Sequence, residues 1–165
     1  MTPHMRFSPA LARTVVVCTA MMLSGSASYA QSAPFAGMAG VWSGNGTITL
    51  DSGASERIRC RATYAVSSEG NGLNQHLVCA SDSYKFDLKS DVIAKNGSLS
   101  GTWSEVSRNV TGSLEGRAGA GHFNVVVSAP AFTANLSMRT NGNRQTVSIT
   151  SESQIKNASI SLSRS

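Results

Sequence analysis

"RIRCRATYAVSSEGNGLNQHLVCA", residues 57–80, carries the reading on which the fold depends. Its first half alternates strictly. Ile58, Cys60, Ala62, Tyr64 and Val66 fall on one face, and Arg57, Arg59, Arg61 and Thr63 on the other. Its second half puts Leu73, Leu77 and Cys79 on one face and His76 on the other. A side-chain period of two is the mark of a half-buried strand. Folding the two halves about Glu69-Gly70 sets Cys60 opposite Cys79, Val66 opposite Leu73 and Arg57 opposite Asp82. One register thus satisfies thiols, apolar side chains and charges together, and a slip of one residue would undo all three. A Cys60–Cys79 disulfide follows, closing a loop of roughly 20 residues. The chain-entropy account values such a loop at about 3 kcal/mol.

The same pattern continues along the chain. "YKFDLKSDV" (84–92) sets Tyr84, Phe86, Leu88 and Val92 against Lys85, Asp87, Lys89 and Asp91. A turn at Asn96-Gly97 pairs Leu88 with Glu105 and Ser90 with Trp103. Asn-Gly closes tight hairpins because both positions tolerate positive φ. A turn at Asn141-Gly142 pairs Leu136 with Val147 and Ala134 with Ile149. Strands are expected near 41–50, 55–66, 73–81, 83–93, 98–106, 109–116, 120–127, 131–140, 143–151 and 155–164. Short connections make sequence neighbours spatial neighbours. The expectation is all-β: about ten antiparallel strands in an up-and-down meander. Closure into a barrel removes exposed edges; a β-sandwich is the alternative.

Residues 1–30 read as a signal peptide. Arg6 and Arg13 precede the apolar run "LARTVVVCTAMML", and Ser28 and Ala30 give a small-residue cleavage pattern. The run is too short to span a membrane as a helix. Cys18 lies inside it and would be removed with it. Residues 31–40 are expected to form a short linker and 41–165 a single barrel domain. Export, periplasmic or secreted, suits a lone pair of thiols that oxidises.

Without residues 1–30 the charge is 12 basic (14 less Arg6 and Arg13) against 9 acidic residues, a balance of +3. No basic cluster with interleaved aromatics marks a nucleic-acid surface. Arg57, Arg59 and Arg61 form an outward stripe that could meet lipid headgroups or polysaccharide. Asp82, Asp87 and Asp91 are expected to neutralise much of it. Asn-x-Ser/Thr sequons occur at Asn45, Asn96, Asn109, Asn135 and Asn157.

"AGVWSGNGTITL" (39–50) opens the first strand, and its Gly-x-Trp-Ser core recurs in "SGTWSE" (100–105). Gly40-Val41-Trp42 resembles the Gly-x-Trp of the calycin-type barrels: lipocalins, avidins and nitrobindin-like proteins. The resemblance implies that Trp42 closes one barrel end and that a basic residue of the last strand packs across it. Arg164 shares a parity with Ala158, Ile160 and Leu162, and stacking on Trp42 would satisfy it. The nitrobindin-like members would imply an axial haem histidine, but His76 and His122 fall on the outward face by alternation.

Chemistry-bearing motifs are sparse. There is no Gly-x-Ser-x-Gly elbow, and neither His76 nor His122 has an evident serine and acid partner. Two thiols and two distant histidines do not make a metal set. Glu105 shares a parity with Leu99 and Trp103. It either stands in water at a barrel rim or pairs inside with an arginine such as Arg108. No second inward carboxylate accompanies it, as glycoside hydrolysis would require. The reading is therefore of a non-enzyme, without cofactor or metal. Small inward residues (Ala62, Gly101, Gly112, Gly116, Ala134) leave room within the barrel, so a small apolar ligand is the leading expectation. Its lining would include Trp103, Tyr64, Phe86, Leu114, Phe132 and Glu105. The alternative is a solid barrel that engages an envelope component by its surface, as an interaction or inhibitor module. An integral outer-membrane barrel is the weakest reading. Only 6% of residues are aromatic, too few for interfacial girdles.

Overall fold

The computed structural model describes residues 33–165. The signal-peptide reading and Cys18 lie outside them. Ten strands follow in order: β1 (Gly40–Leu50), β2 (Ser55–Val66), β3 (Gly72–Ala80), β4 (Lys85–Lys95), β5 (Ser98–Glu105), β6 (Val110–Gly119), β7 (His122–Ala129), β8 (Phe132–Asn141), β9 (Arg144–Ser151) and β10 (Ile155–Arg164). Each pairs antiparallel with its sequence neighbours, and β1 pairs with β10, so the meander is a closed barrel. Closure leaves no unpaired edge.

Along β2 the exposure alternates without a break: Ile58, Cys60, Ala62 and Tyr64 are buried, and Arg57, Arg59, Arg61 and Thr63 are exposed. Cys60 pairs with Cys79 across the β2–β3 ladder, and the two are disulfide-bonded. Val66 pairs with Leu73 as the alternation requires. Arg57 and Asp82, however, are not partners. β3 ends at Ala80, and Asp82 lies in the bend before β4. Glu56 takes hold of that bend instead, accepting from Ser81 Oγ at 2.7 Å and Ser83 N at 3.2 Å. These bonds hold the Glu56 carboxyl below its ordinary pKa, against a smaller effect of desolvation.

The β4–β5 hairpin turns at Asn96 and Gly97, with φ of 51° and 78°, and pairs Leu88 with Glu105 and Ser90 with Trp103. Two successive positive φ values make the tight turn whose twist matches its strands. The β6–β7 hairpin has the same turn at Ala120 (φ 49°) and Gly121 (φ 77°), without an asparagine. The β8–β9 hairpin differs from the expected register by two residues. Asn141 pairs with Arg144, so the loop is Gly142-Asn143; Leu136 faces Ile149, Met138 faces Val147 and Ala134 faces Ser151. A two-residue shift keeps every side chain on its face. The apolar pattern alone therefore did not choose between the two registers.

Residues 33–39 are more than a linker. A turn at 34–37 carries Phe35 and Met38 into the barrel end, where each is 1% exposed. Phe35 stacks on Phe123 with ring centroids 5.7 Å apart, and its N–H donates to Gly70 O.

Candidate ligand-binding lumen

One end of the barrel is sealed. The start of β1 meets the end of β10 there, with Trp42 paired to Arg164. Trp42 is fully buried, and its Nε1 donates to Met38 O at 2.8 Å. The Arg164 guanidinium lies 4.8 Å from the Trp42 ring centroid and also donates to Gly37 O. Tyr64 meets Trp42 edge-on, and its hydroxyl donates to Gln145 Oε1 at 2.7 Å. Gln145 in turn donates to Thr140 Oγ1, so a polar chain joins β2 to β9 and β8 at this end. Burial pushes the Tyr64 hydroxyl's pKa up, and the bond to Gln145 offsets this only in part. Gln145 is 1% exposed. Its parity with Val147 and Ile149 marked it as inward, but nothing in the sequence named its partner.

The interior is not uniformly packed. Ile48, Ile58, Ala158, Ile160 and Leu162, on β1, β2 and β10, are buried. Across β3–β9 the inward apolar side chains divide: Leu73, Val92, Leu99, Leu114, Phe123 and Ala134 are buried, while Leu77, Phe86, Leu88, Trp103, Val125, Leu136 and Ile149 stay partly exposed. Their Cβ atoms point to the inner side of the wall. The barrel end opposite Trp42, here its mouth, is where β4 and β8 begin and β5 and β9 end.

At the mouth the sequence-derived lining residues divide. Phe86, Trp103 and Phe132 stand there, and Trp103 and Phe132 pack edge-to-face at 5.9 Å. Trp103 Nε1 donates to Ser113 O at 3.1 Å, which lays the ring over Gly112. A Cβ at Gly112 would lie 2.7 Å from that nitrogen, so the approach requires glycine. Leu114 is buried at 6% exposure on β6, between Gly101 and Val127. Tyr64 belongs to the sealed end and is remote from the mouth.

Glu105 sits at the rim yet is only 5% exposed, so it does not stand in water. It accepts from Asp87 N at 3.0 Å, Ser107 Oγ at 2.5 Å and Arg108 N at 2.6 Å, and lies 3.6 Å from Arg108 Nη1. Burial opposes its ionisation, but these donors and the Arg108 charge together hold its pKa below the ordinary value. Arg108 also lies over the Phe86 ring, 5.3 Å from its centroid. Glu105 thus organises the β5–β6 loop and braces the mouth.

His76 and His122 are both exposed on the outer face. His76 Nε2 lies 2.8 Å from Asp87 Oδ1, and His122 Nε2 accepts from Arg139. Among the described residues no group of three or more His, Cys, Asp or Glu side chains is placed to hold a metal ion. Two hollows are present, one at the Trp42 end and one on the outer face. A cleft of about 480 Å³ runs between residues 33–38 and the turns at Ala120 and Gly142. A trough of about 810 Å³ crosses the outer face of β2–β6, floored by backbone between rows of side chains such as His76, Lys89, Thr102 and Ser113. Outward positions throughout are polar or charged more often than apolar. A lipid-facing barrel needs the reverse, an apolar outer band. No helix among the described residues is long and apolar enough to cross a membrane.

The fold has a counterpart of known structure. The chain is similar to Rv2717c from M. tuberculosis. The two superpose with a TM-score of 0.62 at 12% identity, over 80% of this chain and 93% of that one. At that identity the likeness is one of fold. No family model and no curated protein matches the chain.

Proposed function

We propose that this chain is an exported β-barrel that takes a small apolar ligand into its lumen through the mouth bordered by Phe86, Trp103 and Phe132. The observation that carries the reading is the asymmetry of burial. Phe35, Met38 and Trp42 are buried at one end, while Leu77, Phe86, Leu88, Trp103, Val125, Leu136 and Ile149 on β3–β9 are only partly buried. Apolar surface left wet in a concave site is where an apolar molecule gains most from dehydration. The stacked Trp42–Arg164 pair fits the closure implied by the calycin-type resemblance, and the Cys60–Cys79 bond fits an oxidising compartment.

Titration with the neutral apolar dye Nile red tests this. Saturable one-to-one binding is expected, weakened about tenfold or more by Leu136→Trp, a bulk placed in the lumen. That loss corresponds to 1.4 kcal/mol or more. Circular dichroism of the variant should match that of the parent. A folded protein that takes up no dye, or a variant that binds it equally well, overturns the reading and favours the solid interaction module.

A further inference from the structure

Arg57, Arg59 and Arg61 were expected to be neutralised by neighbouring aspartates. Among the described residues, none of the three makes an ion pair. The nearby carboxylates are engaged elsewhere: Glu56 with Ser81 and Ser83, Asp87 with His76. Asp82 is carried out of the ladder by the end of β3. All three arginines are exposed. Alternate positions on one strand place them about 7 Å apart in a straight row.

The row is held firmly from beneath. Ile58 and Cys60, the interleaved residues, and Ala62 just beyond Arg61 are 2%, 5% and 0% exposed, and the disulfide ties Cys60 to β3 midway between Arg59 and Arg61. Its flank is equally regular. The partners of Arg57, Arg59 and Arg61 on β1 are Thr47, Asn45 and Ser43. Their partners on β10 are Ser159, Ser161 and Ser163. A rigid line of three guanidinium groups therefore runs beside a two-strand bank of hydroxyls and one carboxamide, with no charge in that bank.

We propose that this row binds a linear acidic polysaccharide laid along β2. Guanidinium forks pair in bidentate fashion with carboxylate or sulfate groups, and the hydroxyl bank can exchange hydrogen bonds with sugar hydroxyls. A bilayer surface would be met by apolar side chains beside the cations. The exposed large apolar residues, Ile93, Val106 and Val126, lie on β4, the β5–β6 loop and β7 instead. A single-stranded nucleic acid would want aromatic faces for stacking, and no aromatic stands in the row or its flank.

The test measures binding of heparin and of polygalacturonate to the oxidised protein as a function of salt. Vesicles of phosphatidylglycerol and a 20-nucleotide single strand serve as competing probes. Combined Arg57→Gln, Arg59→Gln and Arg61→Gln should weaken binding of at least one polysaccharide by about 30-fold at low salt. The slope of log affinity against log salt should fall by about two, since each lost contact no longer releases counterions. Arg→Lys at the same three positions should keep most of that slope. Lys95→Gln and Arg117→Gln, outward cations elsewhere, should change affinity less than twofold. Unchanged binding by the glutamine variant, equal loss in the two control variants, or tighter binding to vesicles or oligonucleotide than to either polysaccharide would overturn the proposal. The outcome is independent of whether the lumen takes a ligand.

Discussion

Trp42→Ala is expected to destabilise the barrel by about 4–5 kcal/mol, the largest effect of any single substitution considered. Truncating a fully buried indole typically costs about 3–5 kcal/mol through lost transfer energy and the cavity left behind. Here three further losses accompany it. Met38 O loses its donor, the Arg164 guanidinium loses the ring it stacks on, and Tyr64 loses its edge-on neighbour. An unsatisfied buried acceptor alone costs about 1–3 kcal/mol. Trp42→Phe separates these contributions. It keeps most of the packing and removes the indole N–H, so a loss of about 2 kcal/mol is expected. Urea unfolding of both variants checks the ordering. A loss below about 2 kcal/mol for the alanine variant would mean that the β1–β10 seam does not depend on this ring.

Removing the disulfide by combined Cys60→Ala and Cys79→Ala should cost about 3 kcal/mol. A cross-link between residues 19 apart restricts the unfolded chain by about that amount. The native ladder should survive, because Val66–Leu73 and Ala62–Leu77 pair in the same register without it. The double variant should therefore fold to the same spectrum with a lower urea midpoint, and reductant should have no further effect on it. The parent in reductant should approach the variant's midpoint. A parent whose midpoint ignores reductant would contradict the assignment.

How much of this was legible in advance follows from where the information lies. Strand positions and faces were written in the alternation, because a residue on the wrong face of a barrel wall exchanges core for water. The pairing of β2 with β3 was legible because two thiols, two apolar residues and a turn agreed on one register. The β8–β9 register was not, since its two candidate registers differ by one full period and bury the same residues. The Ala120-Gly121 turn was unmarked, since alanine is an unusual occupant of a position with positive φ. The plug formed by Phe35 and Met38 was invisible for a different reason. A stretch of seven residues carries no period, and only the end of a closed barrel gives those side chains somewhere to go. At the mouth, the parity of Glu105 and its pairing with Arg108 were readable, but its other donors were not. Ser107 Oγ reaches it only through the path of the β5–β6 loop, which alternation does not describe. The arginine row was legible as an outward stripe, but its lack of ion-pair partners was not, because whether Asp82 faces Arg57 depends on where β3 stops, and alternation does not mark that point.

The central claim is that one end of the barrel is sealed and the other opens into an apolar lumen. Xenon distinguishes such a space from a filled core, since it enters apolar voids without needing a hydrogen bond. Methyl NMR spectra recorded under xenon pressure should show saturable shifts for Leu88, Val125, Leu136 and Ile149. The methyls of Ile48, Ile58 and Leu162, in the packed wall, should hold still. Shifts confined to the exposed Ile93 and Val126, with the inward methyls of β7–β9 silent, would contradict the account.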